Sequence, residues 1–230
     1  MNENNITQII IDTINTILGN LFSSIDNNLY SILDDITFIN SDILHDDYFS
    51  KIFGTSTTNG ILLIANSLLL GILLYYAIRY FLAHITYVEA EKPFAFIFKL
   101  IIYGICMNFS YFILEQLLDI NSYITLAIRD LGNQLFGKSI CFSELISIIN
   151  SSVSVDNSSL NIFSLDGLLK ATMSMSLLGL VFSYSLRYVM VKIFILISPF
   201  AILSKSSSSL SWFFKSWAKN LFSLLFIQII

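Results

Sequence analysis

From Gly167 to Ile230 the chain runs for more than sixty residues without a single Asp or Glu, yet it carries Lys170, Arg187, Lys192, Lys205, Lys215 and Lys219. This apolar, Ser-dotted segment does not suit a soluble domain. Leu168 to Leu186 is long enough to cross a bilayer, whose hydrocarbon core of roughly 30 Å needs about 20 predominantly apolar residues. The cations that follow, Arg187 to Lys219, are the excess that keeps a loop on the cytoplasmic side of a membrane. The rest of the chain is oriented from this anchor.

Composition agrees. Hydrophobic residues make up 55% of the chain and charged residues 12%, with a mean hydropathy of +0.75. Ordinary soluble domains carry about 25% charged residues. The net charge of −4 conceals a polarity along the chain. The first 50 residues hold Glu3, Asp12, Asp26, Asp34, Asp35, Asp42, Asp46 and Asp47 and no Lys or Arg, whereas the stretch after Asp166 holds only cations. The sequence therefore predicts an all-α, polytopic membrane protein with an N-terminal amphipathic helical region. The charge asymmetry sets its topology and is not a nucleic-acid patch. Cys106 and Cys141 have no metal-type spacing and read as isolated packing thiols. Residues 1–5 lack the basic start of a cleavable signal peptide, so targeting falls to the first membrane helix.

Residues 1–58 are expected outside the cytoplasm. Ile10, Ile14, Ile17, Leu21, Ile25, Leu29, Ile32 and Ile36 recur at helical spacing with Asp and Asn between them. That pattern makes an amphipathic helix or helix pair, too polar to cross a membrane. Its acidic face argues against anionic lipid. Ser41 to Thr58 reads as a polar connector.

Residues 59–230 form the expected transmembrane domain. The first span is placed at 61–82, where Ser67 and Gly71 stand four apart as a close-approach surface. A short turn from Thr86 to Pro93, flanked by Arg79, Lys92 and Lys99, is placed in the cytoplasm. The second span, 94–118, returns outward. Glu115 lies near its outer end, and a coupled-ion role would need a partner that the sequence does not supply. Residues 119–166 form an outer segment, with interfacial or re-entrant helices at Leu126–Phe136 and Cys141–Ile149 and a Ser/Asn loop at Ser151–Asn161. Its length marks an outward contact surface.

The third span is placed at 167–197. Thr172, Ser176, Gly179, Ser183 and Arg187 follow one another there at steps of three or four, a narrow polar stripe ending in a cation. Structurally the stripe is a close helix–helix seam with its hydroxyls bonded to backbone; functionally it is the wall of a conduit. Arg187 is expected to snorkel or to pair with Glu89 or Glu91. Ser198-Pro199 is expected to break the helix, with 193–203 as a helix end, a re-entrant dip or a short separate pass. Trp212 and Trp217, flanked by Lys215 and Lys219, are the expected interface anchors of a fourth span, 217–230, that is incomplete at Ile230.

The chain carries few residues suited to catalysis. His45 and His84 are the two histidines and fall on opposite sides of the predicted membrane. No phosphate loop, HExxH, GxSxG or carboxylate pair appears, so the sequence predicts no catalytic residues, no metal site, no cofactor and no enzyme. A small-solute transporter or permease subunit is the alternative class. Such proteins show internal repeats and broken helices, and here Ser198-Pro199 is the lone break.

The block Phe163 to Ile230 resembles the TrbL-like polytopic inner-membrane subunit of type IV secretion and conjugation systems, above all versions from Gram-positive mobile elements. The likeness lies in the order of features: a polar start, a helix ending in Arg187, the S-P-F-A run from Ser198 to Ala201, then the Trp/Lys turn leading to a helix ending in Gln228. The first two spans match in layout alone, and the family pattern calls for further spans. The resemblance implies a non-enzymatic channel or scaffold component for conjugative DNA transfer. It implies an oligomer, partner membrane subunits, separate cytoplasmic ATPases and contact with the transferred single-stranded DNA. A cytoplasmic basic rim of Lys192, Lys205, Lys215 and Lys219, together with Arg187, would attract a phosphate backbone. The same cations are needed for orientation, which is the simpler account of them.

Overall fold

The computed structural model describes residues 3–54, 59–86, 92–137 and 165–227, together with the isolated residues 141, 144 and 148. The expected turn acids Glu89 and Glu91, most of the 141–149 helix and the 151–161 loop lie outside the described residues. Among the described residues the chain is all-helical, with no strand. The helices are α1 (Glu3–Thr37), α2 (Asp47–Phe53), α3 (Gly60–Thr86), α4 (Pro93–Asn108), α5 (Ser110–Phe136), α6 (Leu165–Ser204) and α7 (Ser211–Phe226), with short 3-10 turns at Ser41–Leu44 and Ser208–Leu210.

Two of these, α3 and the Gly167–Ser204 part of α6, are long and apolar enough to cross a membrane. A third candidate is the pair α4 and α5, which meet at Phe109 with a bend of 58°. This redraws the expected second span. The helix does not stop at 118: after the bend it continues through Glu115, Asp119, Arg129 and Asp130 to Phe136, so the expected interfacial helix 126–136 is simply its far end. Charges spaced around a helix do not end it; only a break in the backbone pattern does.

Pro199 is a second correction. It lies inside α6, and the helix runs on to Ser204, so 193–203 is neither a dip nor a separate pass. Proline removes one backbone hydrogen bond, but such residues are tolerated where neighbouring helices pack around them. Pro199 is among the fully buried side chains and Ser198 beside it is buried too. Packing offsets the lost bond.

The chain divides into two compact units, residues 1–38 with 126–188, and residues 39–125 with 189–230. In the first, Leu33 of α1 packs on Leu177 of α6, flanked by Met173, Val181 and Tyr184. These α6 positions recur every three or four residues, one stripe of a helix. Toward the N-terminus of α1 the isoleucines at 6, 9, 10, 14 and 17 are exposed. In the second unit, Ala65 of α3, Met107 of α4 and Leu203 of α6 form the core, with Leu69, Ile72, Phe200 and Ile202 around them.

The α3–α4 seam differs from the expected one. Ser67 bonds its own helix at Leu63 O and Gly71 has open space around it, so that face makes no close contact among the described residues. The approach is made instead at Gly104, where a Cβ would stand 2.8 Å from the Leu69 side chain. Asn66 and Asn108 exchange amide hydrogen bonds across the seam at 3.0 and 3.1 Å, and each also donates to a carbonyl of its own helix. Tyr76 stacks on Phe96 at 3.7 Å between ring centroids.

Candidate functional site

Two groups of residues carry the chemistry of the chain, one in each unit. The first is the polar stripe of α6. Thr172, Ser176, Gly179 and Ser183 are all exposed. The hydroxyl of Thr172 donates to Leu169 O, that of Ser176 to Thr172 O and that of Ser183 to Gly179 O, each at 2.8 Å. Gly179 has nothing within 4 Å of where a Cβ would stand. Among the described residues the stripe packs against no other helix; it presents small residues whose polar groups are already satisfied by their own backbone.

Arg187 leaves that exposed line. It is only 6% exposed, and its Nη1 donates to the carbonyl of Thr37, 3.1 Å away, at the last residue of α1. The last carbonyls of a helix lack intrahelical partners and carry the negative end of its dipole. A guanidinium satisfies both needs, so Arg187 acts as a C-terminal cap supplied by another helix. Near it in the same unit, Arg129 lies over the ring of Phe38 at 4.4 Å.

The second group is a cap built from residues 39–54 on α5 and α6. Asn40 and Asp46 accept from the backbone amides that open the 3-10 turn and α2, so the sequence N-S-D and D-D-Y caps both elements locally. Phe49 and Phe53 are buried, and Phe53 meets Tyr111 edge-on at 5.3 Å. The Tyr111 hydroxyl donates to Leu44 O at 3.0 Å. His45 Nε2 lies 3.5 Å from Glu115 Oε1, and Lys192 Nζ donates to Asp46 Oδ2 at 3.2 Å while also lying over the Phe49 ring. Glu115, for which the sequence offered no partner, finds one in His45.

The Asp46–Lys192 pair corrects the expected topology. One bilayer cannot separate residues 1–58 from Lys192 when a residue of each shares an ion pair. Lys192 and Lys205 are also thirteen residues apart on or just beyond one helix, about 20 Å along its axis, so they do not form one level of a rim. Lys205 is half-buried and lies over the Phe214 ring at 5.7 Å, while Lys215 and Lys219 are exposed on α7. The expected anchors divide as well. Trp212 is 64% exposed, but Trp217 is 8% exposed and its Nε1 donates to Phe194 O at 2.8 Å, tying α7 to α6. Both tryptophans and both lysines sit inside α7, which begins at Ser211 rather than at 217.

The amide of Tyr48, and then the Lys192 ammonium, hold the Asp46 carboxyl below its ordinary value of 3.8. A lowered folded value means that the stabilisation is present above that ordinary value and is lost as the pH falls through the folded one. Asp46→Asn is therefore expected to lower the thermal midpoint in detergent slightly at pH 7, the difference from wild type vanishing as the pH falls through the folded value. The effect is small because the pair is solvent-exposed.

Among the described residues no cluster of three or more His, Cys, Asp or Glu side chains is placed to hold a metal ion. Sequence reasoning missed the Asn66–Asn108 clasp and the cap. The signal available was an amide near one end of each of two apolar helices, and an acid, Glu115, waiting for a partner. No family model, curated protein or solved structure matches this chain.

Proposed function

We propose that this chain is a multi-pass membrane protein acting as a non-enzymatic channel or scaffold subunit of a type IV secretion apparatus for conjugative DNA transfer. The membrane part of the reading is supported by α3, of whose most apolar stretch only 11% is buried. Its exposed Leu63, Ile64, Leu70, Leu74, Ile78 and Phe81 need lipid or partner helices. The channel-or-scaffold part is carried by the outward stripe Thr172–Ser176–Gly179–Ser183. Its satisfied hydroxyls suit either a water-filled wall or the close approach of a second copy. The secretion part rests on the resemblance of Phe163–Ile230, and implies separate ATPases, partner membrane subunits and the transferred strand. In the proposed orientation the α3–α4 turn, flanked by Arg79, Lys92 and Lys99, is cytoplasmic. The N-terminal region then stays outside, and Lys192 joins it.

The test is conjugative transfer from a donor carrying Ser176→Leu and Ser183→Leu. Transfer is expected to drop at least ten-fold with protein levels unchanged. Normal transfer at normal levels would remove the stripe from the account. Normal transfer after deletion of the whole chain would remove the secretion reading, and loss of a solute uptake activity in that deletion would favour the permease class.

A further inference from the structure

In the second unit, α6 and α7 fold back on each other beside the α4–α5 corner and leave a cavity of about 300 Å³ between them. Its walls are nearly all apolar, with Tyr103, Leu114, Trp217 and Leu221 among them. Two of the lining residues carry polar groups that do not open into it. Ser110 is fully buried, and among the described residues its hydroxyl has no hydrogen-bond partner. Lys205 contributes its long stem to the wall, its ammonium lies over the Phe214 ring, and among the described residues no carboxylate pairs with it.

We propose that this cavity binds one acyl chain of an anionic phospholipid, with the lipid phosphate at Lys205. The volume stands at the lower limit of ligand pockets, about 300 Å³. A volume of that size suits a single hydrocarbon chain. An apolar wall offers such a chain about 0.8 kcal/mol per buried methylene. The cation selects the charge of the head, because an ammonium attracts a lipid phosphate and not a neutral head group. Exposed Ile113 and Phe222 border the same cavity, so its rim is continuous with the apolar surface that the membrane reading assigns to lipid. The inference rests on that membrane reading and is independent of the secretion reading.

The experiment is native mass spectrometry of the full chain, purified in detergent and equilibrated with equal amounts of phosphatidylglycerol and phosphatidylcholine. One retained phosphatidylglycerol is expected, preferred at least five-fold. Lys205→Gln is expected to reduce that preference to about one-fold, and Ala218→Trp, which fills the cavity, to abolish retention. Lys215→Gln, exposed on the same helix outside the cavity, is expected to keep the preference. Equal retention of both lipids by the wild type, an unchanged preference in Lys205→Gln, or an equal loss in Lys215→Gln would overturn the site. A photoactivatable phosphatidylglycerol that labels Tyr103 or Trp217 supports it; a photocrosslinker placed at Phe222 that captures a protein there instead overturns it. Carbonate extraction run in parallel separates the two readings. A chain released by carbonate would contradict the membrane reading, whereas a resistant chain without lipid preference contradicts the lipid site alone.

Discussion

Replacing Gly54 by alanine is expected to destabilise the cap by about 3 kcal/mol or more and to expose residues 39–54 to protease. Gly54 ends α2 with φ at +91°, and a Cβ there would run into the backbone carbonyl of Asn59. Gly60 faces it at φ +67°, where a Cβ would stand 2.5 Å from Ile52 O. Left-handed backbone costs a non-glycine residue about 1–3 kcal/mol, and here the obstacle is main chain, which cannot rotate aside. The substitution breaks the crossing by which α2 is seated on the start of α3, and with it the placement of Phe49, Phe53 and Asp46. Gly137→Ala is the matched control. Its φ is +65° but nothing lies within 4 Å of the added carbon, so about 1 kcal/mol is expected. The thermal midpoint of both variants in detergent, with limited proteolysis, checks the difference. Equal costs would mean that the crossing is not the constraint.

Arg187→Leu is the second large effect, about 2 kcal/mol in the order of magnitude of hydrogen bonds to charged groups. It leaves the buried carbonyl of Thr37 without its donor and the C-terminal end of α1 without its cation. Disulfide trapping between Leu33→Cys and Leu177→Cys, both buried in one small cluster, is expected to fall several-fold in the variant. Arg187→Lys is expected to recover part of it, since a point charge still complements the dipole but cannot place a planar fork. Unaltered trapping in Arg187→Leu would show that the Leu33–Leu177 packing holds α1 without the guanidinium.

The parts of this molecule that were legible in the sequence are those set by local periodicity. Isoleucines at helical spacing gave α1, and the unbroken apolar run after Gly60 gave α3, because a repeat of 3.6 is written in neighbouring residues. The polar stripe of α6 was legible as a line of small residues for the same reason. What failed depends on partners far along the chain. Pro199 reads as a stop until its buried surroundings are known. Trp217 reads as an interface anchor until Phe194 accepts its indole proton. Lys192 reads as a cytoplasmic charge until Asp46, 146 residues earlier, is found beside it. The bend at Phe109 leaves no Pro or Gly in the sequence to announce it.

Asp46 and Lys192, joined in one ion pair, must lie on the same side of the membrane. A membrane-impermeant maleimide applied to intact cells that carry Asp46→Cys or Lys192→Cys, with Cys106 and Cys141 replaced by alanine, tests it directly. Both single variants are expected to react from outside, while Lys92→Cys at the α3–α4 turn reacts only after permeabilisation. Labelling of Asp46→Cys and Lys192→Cys from opposite sides would contradict the cap, the orientation and the pairing on which both are built.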